Sequence, residues 1–206
     1  MAGVIRRLGI LGGTFDPIHH GHLAAAQEAQ HRLALDRVLF VPAGIPPHKP
    51  NWPISPIHHR LRMVELAIAG NPHFALSRVD AEWPGPCYTV ETLQRLRAEW
   101  GPEPDLFFII GADSLADLPH WHQPQRLLEL CELAVVARPG VEIDLLRLEE
   151  QLPGITARLH PVPMPLLEIS SSDLRARVRT GHPISYLLPL TVEAYIREQG
   201  LYLHGR

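Results

Sequence analysis

Gly9-Ile10-Leu11-Gly12-Gly13-Thr14-Phe15-Asp16-Pro17-Ile18-His19-His20-Gly21-His22 decides how this chain is read. An apolar strand runs into a glycine pair, and histidines follow at the start of a helix. Glycines lack a Cβ, so backbone N–H groups there can approach a phosphate, and a helix N-terminus adds orphan donors and partial positive charge. His19 and His22 are close enough in one helical turn to face a single polyphosphate together. Two other readings stay open on these residues alone. His-x-x-His is also half of a zinc site, although Cys87 and Cys131 are the only cysteines and neither has a sulfur neighbour nearby in sequence. Histidines can also simply cap a helix. The segment matches neither the dinucleotide fingerprint nor the Walker A loop, which needs Gly-Lys-Ser/Thr. Phosphate chemistry is the preferred reading.

Outward from this stretch, strands alternate with amphipathic helices. Arg7–Leu11, Val38–Val41, Leu106–Ile110 and Leu133–Ala137 read as short buried strands. Phe107-Phe108-Ile109-Ile110 is apolar on both faces, as a strand covered on both sides should be. Leu23, Ala26, Ala29 and Leu33 form one helical stripe; Leu61, Val64 and Ile68 form a second, and Val90, Leu93, Leu96 and Trp100 a third. Near the C-terminus Thr191 is a candidate N-cap, Leu190 and Tyr195 a hydrophobic staple, and Gly200 a helix stop. The alternation predicts an α/β fold: a doubly wound, Rossmann-like parallel sheet with helices on both faces, binding its ligands at the carboxyl ends of the strands. No repeat or linker interrupts it, so residues 1–206 are expected to form a single domain.

Composition narrows the partners. A net charge of −3 gives no electrostatic case for bulk nucleic-acid binding, so a polyanionic substrate needs a local positive pocket. No apolar run reaches the ~18 residues of a membrane span. Two cysteines with no evident pairing fit a reducing cytoplasm. The 21 prolines, about double the usual share of roughly 5%, gather in connections and mark stiff loops.

The other candidate sites all follow strands. Pro46-Pro47-His48-Lys49 places a mobile cation, suited to a phosphate, on a proline-stiffened loop. Tyr88 and Thr89 open the third helix with free backbone N–H groups able to receive a carboxylate, or Thr89 serves only as its N-cap. Gly111 allows close approach of a ligand, and Asp113 can accept from ribose hydroxyls or cap a helix. Trp121 can stack on a flat heteroaromatic ring or cover the edge of the core. Arg138 ends a strand. Ile169-Ser170-Ser171-Ser172-Asp173 has a capping-box-like form, and with Arg175 one turn later it makes a second phosphate cradle of hydroxyls, N–H groups and a guanidinium.

Taken together, these segments resemble the nucleotidyltransferases that carry a His-x-Gly-His motif, here His19-His20-Gly21-His22. Within that superfamily the chain is most similar to bacterial nicotinate-nucleotide adenylyltransferases, along nearly its whole length. Cys87, Glu91, Ser172 and Leu174 depart from that family's usual Ser, Asp, Thr and Ile. The resemblance implies adenylyl transfer from ATP to nicotinate mononucleotide, with His19 and His22 as the catalytic pair. It implies ATP contacts from Gly12, Thr14, Phe15, His19, His22, Gly111, Asp113, Ile169, Ser171, Ser172 and Arg175. Lys49, Tyr88, Thr89, Trp121 and Arg138 would meet the mononucleotide, Trp121 through its nicotinate ring. Mg²⁺ is expected to arrive with ATP rather than in a protein cage. Rival readings are an enzyme for nicotinamide mononucleotide or for both acceptors, and a phosphopantetheine adenylyltransferase, a family that is generally shorter and lacks the Tyr88-Thr89 and Trp121 segments. A nucleotide-binding sensor without catalysis is a further rival, which would have no evident need of both histidines.

Overall fold

Gly9 lets the middle of the sheet close up. A Cβ built there would stand 2.7 Å from Leu35 Cδ1 and 3.1 Å from Val38 Cγ2, so neighbouring layers occupy the space that a side chain would take. The strand that carries it, β1 (Arg7–Gly13), lies at the centre of a six-stranded sheet in the computed structural model, which describes residues 4–46, 54–137, 143–165 and 167–203. The other strands are β2 (Arg37–Pro42), β3 (Phe74–Leu76), β4 (Asp105–Gly111), β5 (Glu132–Ala137) and β6 (Leu159–Pro163). All pairings are parallel, in the order β3-β2-β1-β4-β5-β6. That is the doubly wound order, whose direction reverses between β1 and β4.

Among the described residues eight α-helices cover the sheet: α1 (His20–Arg32), α2 (Ile57–Ile68), α3 (Thr89–Trp100), α4 (Ala112–Asp117), α5 (Pro124–Leu130), α6 (Leu145–Gln151), α7 (Ser171–Arg179) and α8 (Leu190–Glu198). Successive strand residues point to opposite faces, and two cores result. Val38, Phe40, Phe107, Ile109, Ala134 and Val136 pack with α1, α2, α7 and α8. Leu39, Val41, Leu106, Phe108, Ile110, Leu133 and Val135 pack with α3, α4, α5 and α6. The three helical stripes read from the sequence are the faces that α1, α2 and α3 turn inward. No helix among the described residues is long and apolar enough to cross a membrane.

The ladder between β1 and β4 ends at Ile10 opposite Phe108, although β1 runs on to Gly13 and β4 to Gly111. The two carboxyl ends therefore part at the switch point, and the wedge between them is where the candidate residues gather.

Sequence patterning missed the two edge strands. β3 spans only Phe74–Leu76, too few residues for a period to show. β6 contains Pro161 and Pro163, which lack a ladder N–H and are tolerated because an edge strand pairs on one side only. The C-terminal helix also starts earlier than expected. Pro189 is its N-cap, and Thr191 lies inside the helix, donating its hydroxyl to the Leu66 carbonyl at 3.2 Å. Leu190 is 69% exposed and so staples nothing. Gly200 does end α8. At φ +60° it donates to the Arg197 carbonyl while Leu201 donates to that of Ile196, the paired bonds of a Schellman motif.

Gly9→Ala is expected to lower the unfolding free energy by roughly 1–3 kcal/mol through overpacking. Urea denaturation checks this, and a loss below about 0.5 kcal/mol would show that Leu35 and Val38 move aside freely.

Candidate active site

Where β1 and β4 part lies a cleft of about 520 Å³. Gly12, Thr14, Phe15, His19 and His22 line it from β1 and the start of α1; Gly111 and Asp113 line it beyond β4; Ile169, Ser171, Ser172 and Arg175 line it from the start of α7. A second cavity of about 190 Å³ is lined by Tyr88, Thr89, Trp121 and His122. The two share Gly12, Thr14, Phe108 and Trp121 as walls. Lys49 and Arg138 lie outside the described residues.

The β1–α1 loop is held under local strain. Phe15 takes φ +50°, unusual for a residue with a Cβ. Its buried ring packs over Gly13, where a Cβ would stand 3.0 Å from the ring, and meets the His22 imidazole edge-on at 5.1 Å. His19 is the N-cap of α1, and its backbone N–H donates to His22 Nδ1 at 3.3 Å. That bond leaves the His22 proton on Nε2, available as a donor. The two imidazoles stack with centroids 3.7 Å apart. Gly21 permits the arrangement, since a Cβ there would lie 3.0 Å from His19 Nδ1. Burial, helped by His20 nearby, lowers the His19 pKa from 6.5 to about 4. Burial, with repulsion from His19, holds His22 well below 6.5. Both rings are thus neutral at pH 7, and His19 Nδ1 is buried without a hydrogen-bond partner among the described residues.

At the start of α7, Ser170 is the N-cap and accepts from the Asp173 N–H at 3.1 Å. The expected reciprocal half of the capping box does not form, because the Asp173 carboxylate pairs with Arg177 Nε at 2.6 Å. The remaining cradle residues reach toward the histidine loop. Ser171 donates its hydroxyl to the Pro17 carbonyl at 2.8 Å, and Arg175 donates to the Asp16 carbonyl at 2.7 Å and to Ser172 Oγ at 3.3 Å. Both residues therefore join α7 to the loop as well as facing the cleft.

In the second cavity, Tyr88 rather than Thr89 is the N-cap of α3, and its side chain makes no capping bond. Its carbonyl accepts from Glu91 and Thr92, so the N–H groups of Thr89 and Val90 have no acceptor within the helix. The Tyr88 and His122 rings lie 4.4 Å apart, and Trp121 meets Phe108 edge-on at 6.2 Å. Asp80 also lines this cavity. Its buried carboxylate accepts from Thr92 Oγ1 and from Arg95 at 2.7 Å. Burial raises its pKa, and Arg95 and Thr92 oppose the rise. Cys87 is buried against the Asp80 carbonyl, and burial pushes its thiol pKa up.

Sequence reading missed Arg60. It is 2% exposed, yet the four backbone carbonyls of Thr14, Ala43, Gly44 and Ser55 accept from its guanidinium at 2.7–3.2 Å. It thereby ties the β1–α1 loop to the loop after β2. Nearby Asp16 offsets part of the cost of burying the charge. Spacing held a signal, because Arg60 lies four residues before Val64 and eight before Ile68, on the stripe that α2 buries.

The neutral histidine pair makes stability depend on pH. Unfolded His19 takes up a proton near pH 6.5, whereas folded His19 resists until about 4. In that window the unfolded chain binds more protons, so stability falls as the pH drops and levels off below it. His19 is expected to account for up to about 3 kcal/mol of that loss, and His19→Asn to remove its share of the slope. Urea titrations between pH 4 and 6.5 measure both slopes; equal slopes would contradict a neutral buried imidazole.

A cytidylyltransferase-like family model matches residues 10–177. A probable nicotinate-nucleotide adenylyltransferase of Thermomicrobium roseum is 55% identical over 95% of this chain and 91% of that protein. One of Roseiflexus sp. is 51% identical over 95% of this chain and 97% of that protein. Among solved structures, the nicotinic acid mononucleotide adenylyltransferase of Plasmodium falciparum complexed with NaAD superposes with a TM-score of 0.78 at 21% identity, over 97% of this chain and 98% of that one. That likeness carries the fold, and the identities over nearly full length carry the family: the chain belongs to the nicotinate-nucleotide adenylyltransferases, within the cytidylyltransferase-like group.

Proposed function

We propose that the chain transfers the adenylyl group of ATP to nicotinate mononucleotide, giving nicotinate adenine dinucleotide and pyrophosphate. The observation that carries this reading is the contact of two cavities across Gly12 and Thr14. A large cleft with imidazoles and a helix N-terminus suits a nucleoside triphosphate. The smaller one, with aromatic walls and the first N–H groups of α3, suits a flat ring bearing a carboxylate. Two reactants seated there meet at the glycine loop.

In the reaction, a 5′-phosphate oxygen of the mononucleotide attacks the α-phosphorus of ATP. The bond from that phosphorus to the bridging oxygen breaks, and pyrophosphate leaves. The attacking phosphate is already anionic, so no strong base is required, and the protein's work is alignment and charge stabilisation. His22, with its Nε2 proton, and His19 donate to the transferring group as neutral imidazoles. Thr14 and Phe15 offer backbone donors beside them. Ser171, Ser172 and Arg175 hold the β and γ phosphates, while Gly111 leaves room for the adenosine, Asp113 accepts from its ribose, and Gly12 and Ile169 complete the walls. Tyr88 and Thr89 take the nicotinate carboxylate through backbone N–H groups, and Trp121 faces the ring. Lys49 and Arg138 complete the proposed acceptor set. Mg²⁺ enters as part of the ATP substrate, held by its phosphates, in keeping with that ion's reluctance to shed water for protein cages. We assign the whole chain to one nucleotidyltransferase domain and place it in the cytoplasm, on the strength of two buried free thiols.

Pyrophosphate release with ATP and each mononucleotide tests the activity. Release with nicotinate mononucleotide is expected, and ATP binding without release for any acceptor would favour a sensor. His22→Ala should lower kcat by roughly 10²-fold while the circular dichroism spectrum is retained; unchanged turnover would sink the assignment. An amide presents its own N–H₂ to the Tyr88 and Thr89 donors, so kcat/KM should strongly favour the acid. Similar values for the two acceptors would refute recognition through the backbone.

A further inference from the structure

A tyrosine from the far end of the chain reaches the histidine loop. Tyr202, beyond α8, donates its hydroxyl to Asp16 Oδ1 at 2.6 Å, across 186 positions of sequence. The other carboxylate oxygen of Asp16 accepts from the Ser55 N–H at 3.0 Å, and the Ser55 carbonyl accepts from Arg60 Nε. Arg60 in turn holds the Thr14 carbonyl at 2.9 Å. A continuous path of hydrogen bonds thus runs from the C-terminal segment to both ends of the strained Phe15 turn.

We infer that Tyr202 is a positioning residue for adenylyl transfer, holding the Thr14–His19 loop in register with α7 through the Asp16 carboxylate. Three observations support it. Asp16 is 3% exposed, and a carboxylate so buried needs every donor it has. Asp16 also lines the cleft, and its carbonyl is the acceptor for Arg175, so a shift of this residue moves both the histidines and the cradle of α7. Phe15 at φ +50° stays there only while its surroundings hold it. Burial and the charge of Asp16 both raise the Tyr202 pKa, which keeps the hydroxyl a donor at any working pH.

The inference rests on the adenylyl-transfer reading, and the experiment separates the two. Pyrophosphate release is measured for wild type, Tyr202→Phe, Asp16→Ala, the double variant and a control, Tyr195→Phe. The control removes a hydroxyl that meets His59 Nδ1 at 2.9 Å and stands outside the path from Tyr202 through Asp16 and Ser55 to Arg60. Tyr202→Phe is expected to lower kcat about tenfold, with KM for nicotinate mononucleotide changed less than about twofold. Tyr195→Phe should keep kcat within about twofold at a comparable loss of thermal stability. The double variant should be no slower than Asp16→Ala, because Tyr202 acts through the carboxylate that Asp16→Ala already removes. Wild-type kcat in Tyr202→Phe, an equal loss in Tyr195→Phe, or additive losses in the double variant would each overturn the positioning role. A wild-type protein that releases no pyrophosphate with any acceptor would overturn the proposed function instead.

Discussion

The parallel ladder of β1 and β4 ends at Ile10 and Phe108, while β1 stays paired to β2 up to Gly13 and β4 to β5 up to Gly111. Chain leaving β1 therefore crosses the mouth of the sheet with no strand beside it on the β4 flank, and its backbone polar groups need other partners. Those partners come from distant elements. Arg60 takes the Thr14 carbonyl, Arg175 that of Asp16, Ser171 that of Pro17, and the Leu187 carbonyl accepts from the His20 N–H. The loop is consequently fixed from three directions, which suits a segment that sets one imidazole at the N-cap of α1 and the other in its first turn.

Electrostatics follow from the same geometry. The chain carries a net charge of −3, and its cleft is lined by neutral imidazoles, one guanidinium, helix termini and the side chains of Asp16 and Asp113. Stacking His19 on His22 in a buried place makes a doubly protonated pair costly. The histidine pair in its resting form thus presents hydrogen-bond donors rather than cations. A buried cation does lie behind it, since Arg60 is surrounded by carbonyl oxygens and Asp16 rather than by solvent. Donors aimed in advance at a transferring phosphoryl group, in a place shielded from water, stabilise developing charge more than mobile surface lysines do.

Much of this was legible in the residues. Four of the six strands, the three principal helical stripes and the end of the sheet where the cleft opens followed from alternation and period. Edge strands escaped because β3 is too short for a pattern and β6 is broken by prolines that only an edge allows. The eleven residues expected at ATP by resemblance line a single cleft, and Tyr88, Thr89 and Trp121 line the adjoining cavity. Helix ends were less faithful. Pro189 displaced Thr191 and Tyr88 displaced Thr89 as N-caps, because backbone geometry, not a favourable side chain, decided where those helices begin.

What the sequence determined by itself is local: a strand, a glycine turn and a helix start bearing His19 and His22 one turn apart. Short-range spacing suffices for that, since the backbone geometry of a turn depends on residues within it. Tertiary structure alone decided which carbonyls hold Arg60, that both imidazoles are neutral, and that Ser171, Arg175 and Tyr202 grip the same loop. Those bonds join residues 154, 159 and 186 positions apart. A side chain's burial and its partners belong to the packed whole, and no local period records which distant carbonyl a guanidinium or hydroxyl will meet.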